Sequence, residues 1–436
     1  MNTNKQNGTR IAFQSLGCKV NQYEADKAAA QFANAGYCVV PYGNEADVAV
    51  VNTCTVTSEA DRKSRQIIRR MARKNPGALV VVTGCHAAAW PDDLEGVHLL
   101  KVSQLEKETL FTKVHEALFK VTPVMPETLE YHTIPALHTR ARAYLKVQDG
   151  CDRFCTYCII PYVRGRSRSR PPEEILREAR QLIMEGYREI VVTGICVGDY
   201  GRDLSGHSTF SSLFEQLLEL SPETRFRVSS FDPCDMDQKF FDLVTHHPNA
   251  CRHIHLALQH GSDKILKRMG RDYTRQEFFI LCRELSKAAP DFAITTDILI
   301  GFPGETDDDF EETLELSKSI GFSKIHVFPY SERKGTGAVK HPNKIPVEVR
   351  SVRAQKLIAL SSELSLKFYN RFLGTTQNIL VEHERDRETG LLQGYTSNYI
   401  PVIFEGDDAL HGKRASVTLT RIISEKVYGT ALLAGA

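Results

Sequence analysis

Three short runs near the N-terminus are apolar at nearly every position: Ile11-Ala12-Phe13-Gln14-Ser15-Leu16, Val48-Ala49-Val50-Val51-Asn52 and Leu79-Val80-Val81-Val82-Thr83. Runs of this length read as parallel strands buried on both faces. Helical stretches separate them, so residues 10 to about 118 predict an open parallel α/β sheet. From about residue 139 a second strand–helix alternation begins, with strands expected at 144–148, 189–193, 225–229, 253–258, 294–300 and 324–328. Helical patterns lie between them, for example at 172–185, 275–288 and 306–319. Six strand–helix units joined by right-handed crossovers imply a parallel barrel or part of one. From about 369 the pattern shortens again, to β-rich runs at 378–384, 391–396, 399–404 and 415–422 separated by turn signals, which predicts a small β-barrel. Residues 119–138 carry Pro123, Pro126 and Pro135 with little periodicity and read as a linker. The fold class expected is therefore α/β, with domains at 1–120, 139–368 and 369–436 around a linker at 121–138.

Composition changes this picture little. At 436 residues, 42% apolar and 25% charged, the chain has material for two or three soluble domains. Its 55 Lys and Arg against 54 Asp and Glu leave a net charge of +1, so charge distribution has to speak where the sum does not. No apolar run is long enough to span a membrane and the first residues lack a secretory signal's apolar core, so a cytoplasmic protein is expected. There, eleven cysteines suit metal or cluster binding better than disulfides. Cys38, Cys234, Cys251 and Cys282 have no partner at ligand spacing and read as small buried hydrophobes.

The remaining cysteines have positions that matter. Gly150-Cys151-Asp152-Arg153-Phe154-Cys155-Thr156-Tyr157-Cys158 is a C-x3-C-x2-C triplet. Three thiolates this close can hold three irons of a cubane cluster and leave the fourth open to a small molecule. Structural zinc needs four ligands, usually as two short pairs, and the chain has no second pair. Each N-terminal strand also ends in a cysteine: Leu16-Gly17-Cys18, Asn52-Thr53-Cys54 and Thr83-Gly84-Cys85. Open α/β sheets bind ligands at the carboxyl ends of their strands. Three thiols delivered to that edge point to a second open-iron cluster, against the competing reading of three separate core cysteines. Gly17 and Gly84 would let a bulky cofactor come close to the backbone.

An open-iron cluster can chelate the amino and carboxylate groups of S-adenosylmethionine (SAM) and pass an electron to its sulfonium. Barrel chemistry collects on the loops after the strands. The candidate cofactor-binding residues are there: Tyr157 beside an adenine or as an ordinary loop aromatic, Gly194, Ser229, and Gly301 and Gly304 in the tight Gly301-Phe302-Pro303-Gly304 turn. Two basic stretches suggest RNA. Helical spacing puts Arg62, Arg65, Arg69 and Arg73 on one face, and Arg164-Gly165-Arg166-Ser167-Arg168 follows the triplet closely. A solvated helix face is the ordinary alternative. The C-terminal module, with seven Lys/Arg and eight Asp/Glu from residue 369, adds no general basic surface.

These residues together resemble the radical-SAM methylthiotransferases over nearly the whole chain. Cys18, Cys54 and Cys85 match that family's auxiliary-cluster cysteines, Cys151, Cys155 and Cys158 its SAM-cluster triplet, and the last segment its small RNA-binding barrel, known as TRAM. Gly17-Cys18-Lys19-Val20-Asn21-Gln22-Tyr23-Glu24, Ala60-Asp61-Arg62-Lys63-Ser64-Arg65-Gln66, the segment 160–169 and Val327-Phe328-Pro329-Tyr330-Ser331 are similar to the branch that modifies threonylcarbamoyladenosine at position 37 of tRNA, next to the anticodon. The resemblance implies a partial (β/α)6 radical SAM barrel, two [4Fe–4S] clusters and two SAM molecules. It further implies methylthiolation of adenine carbon 2, with Arg62, Arg65, Arg69, Arg164, Arg166 and Arg168 toward the RNA. The implied partners are the tRNA anticodon stem-loop, an electron donor such as flavodoxin or ferredoxin, and a sulfur donor, with no membrane. The same reaction on isopentenyladenosine or on a ribosomal-protein aspartate remains open, as does a non-catalytic, metal-stapled RNA-binding protein. The sequence departs from the branch at Cys196, where His is usual, at His260, at Gly337 and two residues after His86, where Gln is expected.

Overall fold

The computed structural model describes residues 8–89, 99–123, 140–206 and 208–432, so the expected linker at 121–138 lies almost wholly outside the described residues. The N-terminal sheet is all parallel and has five strands, in the order Cys38–Val40, Arg10–Ser15, Val48–Thr53, Leu79–Gly84, Leu99–Lys101. The three central strands are the expected ones. Val48–Thr53 and Leu79–Gly84 are buried at every position because helices cover both faces. Phe32 and Phe111 pack on one face; Ile68 and Met71 of the helix Ser58–Lys74 pack on the other. Burying side chains of this size stabilises the fold by about 1.5–3 kcal/mol each. The two edge strands were not expected, since three residues are too few to show a pattern. Cys38 at one edge is exposed, as is Cys234 in a short turn, so neither is the buried hydrophobe expected; Cys251 and Cys282 are.

The central region has six parallel strands in chain order, Ala143–Lys146, Glu189–Thr193, Arg225–Val228 (continued by Ser230–Phe231), His253–Leu256, Ala293–Ile300 and Lys324–Pro329. Alternate residues of each strand point outward into a continuous apolar core against the helices: Leu145, Val192, Phe226, Val228, Leu256 and Ile298 among them. The intervening residues line the barrel's inside and are mostly polar. The long helix Val347–Asn370 then leads into a closed barrel of five strands, Thr376–Val381, Leu392–Thr396, Pro401–Phe404, Arg414–Ile423 and Lys426–Ala431. The last strand was not expected. It places one large apolar residue, Val427, in the core and closes the barrel between Pro401–Phe404 and Arg414–Ile423.

The small barrel seats on the amino-terminal ends of the central strands. Arg225 and Arg227 both pair with the fully buried Glu189 and donate onward to backbone carbonyls of Tyr395, Thr396 and Ser397. Tyr399 lies under the Arg227 guanidinium, 4.4 Å from it, and against His253 at 4.9 Å. The barrel's floor is thereby sealed, leaving the carboxyl-terminal rim as the working end. Among the described residues no helix is long and apolar enough to cross a membrane.

Candidate active site and nucleic-acid interface

The structure brings the three N-terminal cysteines to one place. Gly17 and Gly84 end their strands at φ of +100° and +89°, conformations that suit glycine. A Cβ at Gly17 would stand 2.8 Å from the Cys54 Cβ, and one at Gly84 would collide with the Asn52 side chain and the Thr53 backbone. These glycines therefore let neighbouring strand ends close on one another, where cofactor access had been expected. Cys18, Cys54 and Cys85 lie within electrostatic reach of each other and of the Arg164 guanidinium. Cys18 is exposed; Cys54 and Cys85 are buried, and burial pushes the Cys85 thiol up to about 12 and Cys54 upward. A metal binding here would have to displace protons from these thiols.

The C-x3-C-x2-C loop follows the first barrel strand. Gly150 has φ +76°, and a Cβ there would run into the Arg166 carbonyl. Phe154 holds a left-handed backbone at φ +49°, a strained state for a bulky residue that clusters at functional sites. Two guanidiniums face the thiols: Arg271 donates to Cys155 Sγ at 3.4 Å, and Arg153 donates to Cys196 Sγ at 3.3 Å. Asp232 holds Arg271, and Asp235 holds Arg153 at 2.6 Å. A hydrogen bond with Cys196 pulls the Cys151 thiol down to about 7, and burial pushes Cys158 up to about 12. Cys196 is thus a direct neighbour of the triplet, its sulfur grouped with those of Cys151 and an Asp199 oxygen within 4.8 Å.

Both trios are free thiols, three and three, and the donor set fits two iron–sulfur clusters with a vacant corner each. The segments that carry the two trios also meet. Cys85 packs on Ile159 and Val163, in the segment directly after Cys158. Arg164, at the end of that helix, is only 1% exposed. It reaches across to Glu24 at 3.1 Å and to Asp149 at 2.8 Å, and it donates to Asn21. Lys107 and Lys146 complete this buried network. A second tie joins the two regions where Arg333 pairs with Asp61, which also takes contacts from Thr55 at 2.6 Å and His86 at 3.1 Å.

Several expected site residues are used differently. Arg164 was expected to face RNA; it is instead the buried tie between the two regions. Tyr157 packs beside Phe302, Tyr330, Ile265 and Met269 in a small apolar cluster. Gly301 and Gly304 make room for Arg350 and Arg268 side chains, where a nucleoside had been expected. A Cβ at Gly194 would stand 3.0 Å from Gln148 Oε1, and Gln148 links the triplet loop to the backbone of Ile195 and Cys196. Ser229 is buried with no partner for its hydroxyl among the described residues. His260 is fully buried, 3.3 Å from Glu305, which accepts from Gly301 and Phe302, so it braces the glycine turn from behind. The residue two after His86 falls outside the described side chains.

The basic stripe does assemble. Arg62, Arg65, Gln66, Arg69 and Arg73 line one open concavity on the helix Ser58–Lys74, with Ile68 and Met71 buried behind it. Arg166 and Arg168 are at the surface beside the triplet, and Arg166 lies over the Phe154 ring at 5.3 Å. Phe154 and Tyr162 are 41% and 58% exposed and meet edge to face at 5.8 Å. Sequence reasoning passed over these two aromatics, although an aromatic interleaved with arginines is a recognisable base-stacking signal.

Comparison with known proteins identifies the family. Family models match residues 145–317 (Radical SAM superfamily), 10–101 (Uncharacterized protein family UPF0004) and 370–432 (TRAM domain). The threonylcarbamoyladenosine tRNA methylthiotransferase MtaB of Bacillus subtilis is 37% identical over 94% of each chain. This chain belongs to the radical SAM methylthiotransferase family. The MtaB of Thermotoga maritima is 36% identical, over 91% of this chain and 92% of its own. A tRNA-2-methylthio-N(6)-dimethylallyladenosine synthase of Pelotomaculum thermopropionicum is also 36% identical, over 93% and 94%. Among solved structures, the radical SAM methyltransferase TsrM of Kitasatospora setae shares the fold, with a TM-score of 0.54 at 15% identity over 73% of each chain. As a family member the chain is an enzyme of the radical SAM class, whose cofactors are iron–sulfur and SAM.

Proposed function

We propose that this chain methylthiolates carbon 2 of N(6)-threonylcarbamoyladenosine at position 37 of tRNA, using two [4Fe–4S] clusters and two SAM molecules. The observation that carries the reading is that two free thiol trios come together, with Cys85 packed on the segment that follows Cys158. Cys151, Cys155 and Cys158 would hold the cluster that engages SAM; Cys18, Cys54 and Cys85 would hold the auxiliary one. The bound groups supply reductive cleavage of a sulfonium and a sulfur to transfer.

The chain's own residues position and shield that chemistry. Arg153 and Arg271 place fixed positive charge beside the triplet, as suits an anionic thiolate cluster, and their aspartates keep them oriented. Arg164 does the same for the auxiliary trio and fixes the distance between the two. Arg62, Arg65 and Arg69 would track the phosphate backbone, and Phe154 with Arg166 and Arg168 would receive the anticodon loop beside the triplet. An electron donor such as flavodoxin or ferredoxin and a sulfur donor would be transient partners of a cytoplasmic enzyme.

Relatives acting on dimethylallyladenosine stand almost as near in identity, so the substituent on the adenine is the open point. Nucleoside mass spectrometry of tRNA from cells with and without this chain tests it. Loss of 2-methylthio-threonylcarbamoyladenosine alone is expected. Loss of the dimethylallyl product, or of a modified ribosomal aspartate, would overturn the assignment. A preparation holding zinc and yielding no deoxyadenosine from SAM and reductant would favour the non-catalytic reading.

A further inference from the structure

The inside of the central barrel carries chemistry that the cysteines do not use. Parallel strands covered on both faces are usually apolar throughout, yet here the inward positions are charged or hydrogen-bonding. Along the adjacent strands, His255 stands opposite Thr295 and Asp297 opposite His326. His255 Nε2 lies 3.3 Å from Asp297 Oδ2 and its Nδ1 lies 3.0 Å from Thr295 Oγ1; its ring is 5.7 Å from that of His326. Asp297 keeps 30% of its side chain open, and His326 is exposed to the lumen side of an edge strand. Lys19 enters from the other domain, next to Cys18, within electrostatic reach of Asp297 and His326. The buried Ser229 hydroxyl, at the rim, has no partner among the described residues. Below, the floor is closed by Glu189, Arg225, Arg227 and Tyr399. The inward positions are thus polar from Glu189 and Arg227 near the floor to His255, Asp297 and His326 along the neighbouring strands.

We propose that this lumen receives the substituent of the target adenine, and that Lys19, Asp297 and His326 make the enzyme specific for an anionic, urea-bearing group over a hydrocarbon one. A threonylcarbamoyl group has a carboxylate for Lys19 and His326 and N–H or O–H donors for Asp297. A prenyl group would desolvate these side chains and offer Lys19 and His326 no oxygen to pair with, the kind of mismatch by which polar sites reject apolar analogues. The inference rests on the threonylcarbamoyl reading above and deepens it.

The test uses anaerobically reconstituted enzyme and three anticodon stem-loops that differ only at the target adenine: threonylcarbamoyl, isopentenyl or unmodified. Lys19→Met and His326→Leu are expected to raise KM for the threonylcarbamoyl RNA by about tenfold to a hundredfold, the loss of a hydrogen bond to a charged group, with kcat little changed. Binding of the unmodified stem-loop, iron content and RNA-free deoxyadenosine formation should stay at wild-type level, and Lys19→Arg should restore most of the affinity. Equal weakening toward all three RNAs, or no change toward the threonylcarbamoyl RNA, would overturn the inference alone. A wild-type enzyme that methylthiolates only the isopentenyl stem-loop would overturn the substrate reading first, and the inference with it.

Discussion

The N-terminal sheet and the central barrel are both parallel, and both deliver cysteines beyond the carboxyl ends of their strands, yet they spend their strands in opposite ways. In the N-terminal sheet Val48–Thr53 and Leu79–Gly84 are buried at every position, so the strands act as scaffold and the cysteines come at or just beyond their ends. In the barrel one face of each strand builds the core and the other builds a lumen of Arg, His, Asp and Glu. The first arrangement fixes where a sulfur-bearing group would sit. The second adds, on the proposal above, a polar surface by which a substrate would be told from its analogues. The difference teaches that strand patterning, read at period two, separates a supporting sheet from a recognising one.

The sharpest way to break this comparison is to remove one trio at a time. Replacing Cys18, Cys54 and Cys85 by Ala is expected to abolish sulfur insertion while reductive SAM cleavage survives, as read by nucleoside mass spectrometry and deoxyadenosine yield. Cys151→Ala should abolish both. If the first variant still inserts sulfur, the N-terminal sheet is not the sulfur-bearing side.

Next in size is the tie between the two regions. Arg164→Met leaves Glu24 and Asp149 buried without their main partner, a change worth about 3–5 kcal/mol of stability. Denaturant unfolding of the cluster-free protein measures it. The same residue sets an acid limit. Burial by itself would raise the Glu24 carboxyl, but Arg164, Lys146 and Lys107 hold it down to about 2, and they hold Asp149 well below its usual range. Carboxylates held low in the fold contribute their full stability above the unfolded value of about 4 and lose it as pH falls toward the folded one. The native chain should therefore weaken between about pH 4 and pH 2, and Arg164→Met should begin to weaken at a higher pH.

Much of this was legible in the chain. The three apolar runs, the cysteine at each of their ends and the six barrel strands could be placed because period, length and turn residues agree there. Arg164 could not. It sits in an Arg-Gly-Arg-Ser-Arg run that reads as surface, and its partner Glu24 is 140 residues away, so only the packing of two domains reveals it. The glycines of the Gly301 turn were misplaced for the same reason, since their neighbours Arg350 and Arg268 are tertiary, and the bracing role of His260 against Glu305 was equally out of view. The polar lumen was readable in retrospect, since Arg225 and Arg227, His253 and His255, and Thr295 and Asp297 each recur at spacing two.

A smaller effect concerns the basic stripe, the N-terminal region's second contribution. Arg69→Gln is expected to weaken binding to all three stem-loops alike and to lower the slope of log affinity against log salt by about one. A loss confined to the threonylcarbamoyl RNA would instead assign recognition to the sheet and blur its contrast with the lumen.

The smallest effect is the most discriminating about which charges matter. Glu59 pairs with Arg62 at 2.6 Å on the same helix face, with both side chains more than half exposed. In water such a pair is weak, because solvent screens it and two long side chains must be ordered to make it. Glu59→Gln should therefore leave Tm unchanged, in contrast to Arg164→Met, although both break an arginine–carboxylate contact. What it should change is RNA affinity, since Glu59 competes with phosphate for Arg62 and adds negative charge to the rim of the stripe. Binding of the unmodified stem-loop should tighten modestly, and more at low salt than at high salt. A fall in Tm without a gain in affinity would mean that this arginine is structural, and that the stripe's contact with RNA begins further along the helix, at Arg65.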